Sequence, residues 1–205
     1  LRTGRPLQAQ SMSVPADFSS AAFFLVAGLL GWPAVAALLA LFTLSLLRFF
    51  RDPERVVPEG EGLMVAPADG RVVELGDGRF AIFMSLFDCH VNRSPVAGEV
   101  VDVVHTRGKF HPADKPQAKE NERNLIVLKR GDEEIRVTQV AGLVARRIVC
   151  WAKPGDRVER GERIGMIVFG SRVEVEVFPG RWRFTVAQGD SVRAGETVVA
   201  REVRA

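Results

Sequence analysis

FGSRVEVEVF, residues 169 to 178, is the stretch on which the fold turns. Val173, Val175 and Val177 alternate with Glu174 and Glu176. A period of two puts the valines on one face and the carboxylates on the other, which is the pattern of a half-buried β-strand. Gly170 and Ser171 stand immediately before the alternation. Both are common turn formers. Whether Ser171 only starts the strand or is placed there for chemistry depends on the rest of the chain.

Outward from this strand the pattern continues. After residue 50, short valine-rich runs and Gly/Pro turns dominate, with no long helical period. Two segments repeat: PGDRVERGERIGMI (154 to 167) and QGDSVRAGETVVA (188 to 200) share G-D-x-V-x-x-G-E-x-[IV] at a separation of 34 residues. Each reads as a turn, a short strand, a second glycine turn and another strand. APADGRVVEL (66 to 75) and SPVAGEVVDV (94 to 103) share P-x-x-G-x-V. Small sandwich domains of the biotinyl/lipoyl-carrier kind use the same turns. The expected fold is therefore mostly β: a compact sandwich or barrel-like domain over residues 51–205, built from quasi-repeated hairpins. A carrier would need a lysine at a hairpin tip, and neither repeat has one. A membrane-anchored adaptor without catalysis remains as a non-enzymatic reading.

The N-terminal part is different. No charged residue occurs from Phe18 to Leu47. A bilayer core takes about 20 apolar residues, so residues 21–50 are expected to form a membrane-associated helical segment behind a polar tail, 1–20. Pro33 interrupts the run, leaving one kinked span or two short re-entrant arms. Arg48 and Arg51 follow at once and favour a cytoplasmic position for everything downstream. The expected location is the cell membrane, with the soluble domain facing the cytoplasm.

Composition narrows the function. The chain has 205 residues, a net charge of +3 and 47% hydrophobic content, enough for one ordinary domain and an appendage. No basic run is interleaved with aromatics, which argues against nucleic acid. Cys89 and Cys150 make no CxxC, so neither a disulfide framework nor a zinc site is expected. His90, His105 and His111 complete no metal-binding spacing. On a strand, the adjacent Cys89 and His90 would face opposite ways, which argues against a dyad.

Five short motifs remain: RFFRDPER (48 to 55), PADG (67 to 70), FDCHVNRSP (87 to 95), NERN (121 to 124) and FGS (169 to 171). Singly, each has an ordinary structural reading. In this order, directly after an apolar segment, they resemble the short, membrane-associated form of phosphatidylserine decarboxylase, over a region from about Arg48 to the strand after Ser171.

That resemblance implies a self-cleaving proenzyme. Ser171 would attack the Gly170 carbonyl, and cleavage would leave a β chain, 1–170, and an α chain, 171–205, capped by a pyruvoyl group made from Ser171. The substrate amine would form a Schiff base with that group, lose CO2 and depart as phosphatidylethanolamine. The implied partners are a phospholipid substrate, the membrane and the two chains of one precursor, with a homo-oligomer possible. A serine-headed lipid with ether tails, such as archaetidylserine, is an alternative substrate. His90 is the candidate base and Asp69 the acid that orients it. The long form has H-x-x-H here, whereas this chain has Arg93 in the second position, so Arg93 is a candidate for part of that role. Arg172 stands where the long form commonly has Thr. The polar stretch 106–124 is expected to be a mobile loop near the site. Arg146 and Arg147 could hold a lipid phosphate or carboxylate, or form a solvated basic edge. No metal is expected.

Overall fold

The computed structural model describes residues 33–113, 115–143, 147–168 and 170–203. The chain divides into two units, one ending at Arg48 and one beginning at Phe49.

In the first unit, helix α1 (Pro33–Phe49) opens on the proline. Its ring is tolerated in a first turn because the N–H it lacks would have no helical partner there. Thr43 and Ser45 donate their hydroxyls to the carbonyls of Leu39 and Leu41, both at 2.8 Å, so the polar side chains in the apolar run are satisfied within the helix. Leu38, Leu41, Phe42 and Leu44 are exposed. Seventeen residues rise only about 25 Å, against a hydrocarbon core of about 30 Å. No helix among the described residues is long and apolar enough to cross a membrane. The segment expected over 21–50 is thus helical from Pro33, but a crossing helix is not found. The tail 1–20 and the part before Pro33 lie outside the described residues.

The second unit is β-rich. Its strands run β1 (Leu63–Val65), β2 (Gly70–Gly76) and β3 (Arg79–Met84), then β4 (Val91–Arg93), β5 (Gly98–Thr106), β6 (Arg123–Arg130) and β7 (Glu133–Val140). They continue with β8 (Ile148–Cys150), β9 (Arg157–Val158), β10 (Arg163–Ile167), β11 (Ser171–Glu176), β12 (Trp182–Phe184), β13 (Ser191–Val192) and β14 (Val198–Glu202). Eight of them form one sheet in the order β13-β2-β3-β11-β7-β6-β5-β9, which curls into a half-barrel. Two three-stranded sheets, β1-β14-β12 and β4-β10-β8, complete the unit.

The repeats explain this order. Val192, in one G-D-x-V copy, pairs with Gly70 of one P-x-x-G-x-V copy, and Val158 of the other pairs with Gly98. The glycines of the two copies take matching left-handed conformations: φ is 92° at Gly155 and 99° at Gly189, then 82° at Gly161 and 75° at Gly195. Each half-sheet is matched by the other, β13-β2-β3-β11 by β9-β5-β6-β7, and each small sheet has its counterpart. The second unit is therefore two similar halves, one nested in the other. Strands β1–β3 open the first half, β4–β10 build the whole second half, and β11–β14 close the first. Ser171 begins the strand on which the chain returns.

The alternation in residues 173–177 is realised as read. Val173, Val175 and Val177 are buried in a core shared with Phe80, Ile82, Ile126, Leu128, Ile164 and Ile167. The polar stretch 106–124, expected as a loop, has internal structure. It closes on itself through the backbone of Lys109, paired with Glu120 and Glu122 at 2.8 and 3.0 Å, and a 3-10 turn, Pro116–Glu120. Ala113, Ala118 and Asn121, within it, are buried. Its few small and amide side chains anchor a loop that polarity alone reads as free.

Candidate active site

Ser171 is the first residue of β11, an interior strand of the large sheet. It pairs with Met84 of β3, and Arg172 pairs with both Phe83 and Val140. Ser171 is fully buried, and its Oγ has no hydrogen-bond partner among the described residues. Gly170 before it holds φ at 60°, a conformation L side chains rarely adopt. A buried hydroxyl left unpaired costs about 1–3 kcal/mol, so its persistence marks a place shaped for something other than stability.

His90 comes from the segment between β3 and β4. Asp88 accepts the Ser85 N–H and hydroxyl, both at 2.7 Å, and so forms a braced turn just before the histidine. The Asp88 carbonyl lies 3.0 Å from His90 Nδ1. That contact assigns the proton to Nδ1 and leaves Nε2 as an acceptor. Nε2 is buried and has no hydrogen-bond partner among the described residues. The ring packs against Phe49, with centroids 4.2 Å apart. Burial pushes the imidazole below its ordinary pKa and Arg51 adds to this; the Asp88 carbonyl and the charges of Asp88 and Asp69 oppose it. At neutral pH the ring is therefore neutral and able to take a proton.

Two links bring His90 and Ser171 to the same region. The His90 carbonyl accepts the N–H of Ile167, four residues before Ser171, at 3.3 Å. Asn92 reaches the Met84 sulfur at 3.6 Å, and Met84 is the register partner of Ser171. Nε2 and Oγ are not hydrogen-bonded to each other, since each is without a partner.

The other sequence candidates lie as follows. Asp69 accepts two hydrogen bonds from Arg55, at 3.0 and 2.8 Å, and one from the Ala194 N–H at 2.7 Å. It acts on His90 through its charge, while the Asp88 carbonyl orients the ring. Arg93 donates to the Gly161 and Pro53 carbonyls and pairs with Asp52 at 2.9 Å. Arg147 is exposed, and its carbonyl accepts the Val168 N–H at 3.4 Å, beside the segment leading to Gly170. Arg146 lies outside the described residues. Arg172 pairs with Glu174.

Sequence reading missed Asp88 and Phe49 as the neighbours that set the state of His90. Asp88 was inside a quoted motif, but it works through a backbone carbonyl, for which no side-chain signal exists. Cys89 donates its thiol to the Arg51 carbonyl at 3.2 Å, and burial raises the Cys150 pKa, so Cys150 is not a ready thiolate. Among the described residues, no group of three or more His, Cys, Asp or Glu could hold a metal.

A buried serine behind a left-handed glycine, with a neutral histidine in the same region, is an arrangement suited to acyl chemistry on the chain's own backbone. The comparisons agree in kind. A family model described as phosphatidylserine decarboxylase matches residues 42–80 and 76–200. The chain is 47% identical over 206 residues to a phosphatidylserine decarboxylase proenzyme of Erythrobacter litoralis, covering 88% of this chain and 82% of that protein. Against the namesake proenzyme of Solidesulfovibrio magneticus it is 45% identical over 190 residues, covering 87% and 88%. It is also 43% identical over 158 residues to a putative archaetidylserine decarboxylase proenzyme of Methanosarcina mazei, covering 77% and 76%. The chain belongs to the phosphatidylserine decarboxylase family.

Proposed function

We propose that this chain is a self-cleaving carboxy-lyase that converts phosphatidylserine to phosphatidylethanolamine, with its catalytic carbonyl made from Ser171. The observation that carries the reading, beside the family, is the fully buried, unpartnered Ser171 hydroxyl directly after a glycine at φ 60°.

In maturation, Ser171 Oγ bonds to the Gly170 carbonyl carbon and the C–N bond to residue 171 breaks. The hydroxyl proton ends on the freed nitrogen. His90 Nε2 is the acceptor that takes this proton in passing, and the charge of Asp69 supports the imidazolium that forms. Removal of the residue 171 α-proton then breaks the Cβ–O bond and releases Gly170 as a carboxylate. The dehydroalanine left behind tautomerises to an imine, and water displaces ammonia from it.

The pyruvoyl group supplies an electron sink for the departing carboxylate's electron pair, the task a bound cofactor performs elsewhere. Residue 171 would be held in place for this by β11, which is hydrogen-bonded to β3 and β7 on either side. Arg147, exposed beside the return segment, suits the lipid phosphate, with Arg146 next to it in sequence. Arg93 acts by tying residues 52–53 to Gly161.

A diacyl lipid is costly to extract, at about 0.8 kcal/mol per CH2, so the site belongs at a membrane surface. The exposed apolar residues of α1 support this. So do Leu86 and Phe87, exposed just before His90, and Leu143. Arg48 and Arg51 support a cytoplasmic placement.

The test is the intact mass of the purified protein. Two chains are expected, with residues 171–205 blocked at the N-terminus, while Ser171→Ala stays a single inactive chain. An unbroken wild type that still releases CO2 from lipid defeats the proposal, and an unbroken, inactive one favours the adaptor. The Methanosarcina relative's name motivates one comparison, turnover of ester-tailed against ether-tailed serine lipids, to fix the preferred tail.

A further inference from the structure

The turn after β7 carries a glycine that its own backbone does not require. Gly142 is not among the residues with positive φ. Yet a Cβ built there would overlap the Gly170 carbonyl oxygen and stand 2.8 Å from the carbonyl carbon, closer than real Cβ atoms approach. The next atom it would meet is the Cβ of buried Ala113, at 3.6 Å. The scissile carbonyl thus lies directly against a bare Cα.

The turn is also held. Asn121, 1% exposed, donates from Nδ2 to the Ala141 carbonyl and to the His111 carbonyl, both at 2.7 Å. Its Oδ1 accepts the His111 N–H at 2.7 Å. The Ala141 N–H in turn donates to the Glu122 carbonyl at 2.9 Å. Residue 141 is therefore pinned through both its N–H and its carbonyl, immediately before Gly142. The same amide clasps the folded loop whose Ala113 packs on this spot.

We propose that Gly142, fixed by Asn121, is a positioning residue for self-cleavage: it seats the Gly170 carbonyl so that one face is presented to Ser171 Oγ. The proposal rests on the self-cleavage reading above. Attack by a neighbouring hydroxyl needs the carbonyl plane turned correctly, and misplacement by about 1 Å costs on the order of 100-fold in rate. A methyl group at residue 142 forces at least that displacement.

The step at stake is the first one, in which the Oγ–C bond forms, the C–N bond breaks and the nitrogen gains the proton. Neutral hydroxylamine reads it directly. It cleaves the ester, taking Gly170 as a hydroxamate and leaving residue 171 with a free amine and its hydroxyl. A defect later in maturation leaves the ester to be trapped; a misaligned carbonyl leaves nothing to trap.

The experiment follows chain cleavage in full-length protein in detergent, with and without hydroxylamine, beside thermal unfolding. Gly142→Ala is expected to slow cleavage by roughly 100-fold, and hydroxylamine does not restore it. Asn121→Ala, which adds no bulk, is expected to slow cleavage about 10-fold, also without restoration. Cleavage of Gly142→Ala within about 3-fold of wild type overturns the proposal. So does hydroxylamine-dependent cleavage of either variant at the wild-type rate. Where Gly142→Ala does not fold, Asn121→Ala decides by the same readout. A wild type that never cleaves defeats the parent reading instead.

Discussion

His90 shows how far one side chain's behaviour is set by what it touches. Its sequence motif identified it, but its protonation state comes from the Phe49 ring, the Asp88 carbonyl, Arg51, and the more distant Asp69. With its pKa lowered on folding, the ring is neutral in the folded chain at pH values where the unfolded chain, at about 6.5, takes up a proton. The resulting stability is present above about pH 6.5 and is lost as pH falls through the lower folded value. Cleavage should follow the same direction, staying fast into mild acid and failing only below the ordinary histidine range. Phe49→Ala admits water to the ring and should move the acid limb of the cleavage-rate profile toward pH 6.5. An unmoved limb would show that Phe49 does not control the base. At this scale Ser171 and His90 became candidates only through the order of the five motifs, since each alone reads as an ordinary turn or strand-end residue. The Asp69–Arg55 pair was not legible, although both residues sit in quoted motifs, because no rule of spacing joins residues 55 and 69 across a turn.

At the scale of elements, alternation was a good guide until polar residues took inward positions. In β7, Glu133, Ile135, Val137 and Gln139 face inward. Gln139 is fully buried and links two other amides: it donates to Asn92 Oδ1 at 2.8 Å and accepts from Asn124 Nδ2 at 3.0 Å. This chain of amides joins β4, β7 and β6 behind the site. A polar residue on a buried strand face has no partner visible in one sequence, so the network could not be read. Gln139→Leu leaves two buried amides short of a partner and should lower stability by about 2–4 kcal/mol, measured by denaturant unfolding. A loss below about 0.5 kcal/mol would mean the amides find other partners. The helix α1 was legible from the uncharged, mostly apolar run that follows Pro33, and the folding of the 106–124 loop was not, because the amide that closes it, Asn121, looks like any loop residue.

Across the whole molecule, the two pairs of repeated motifs were visible in sequence but their nesting was not. Repetition gives the units; only strand pairing shows that the second half is inserted into the first. The nesting bears on what the proposed cut would do. Residues 171–205 pair with β1, β2, β3 and β7 through β14, β13 and β11. The two cleaved chains should therefore elute together on native size exclusion and part only in denaturant. Separation under native conditions would show that these pairings do not hold the small chain.

Because β11 lies between β3 and β7, it is the plank that bridges two frames already raised earlier in synthesis. A ribosome delivers residue 171 after both neighbours are finished, so Ser171 reaches its seat only when the two frames have met. If Ser171 cuts the chain as proposed, maturation is timed by assembly, and a misfolded chain stays in one piece.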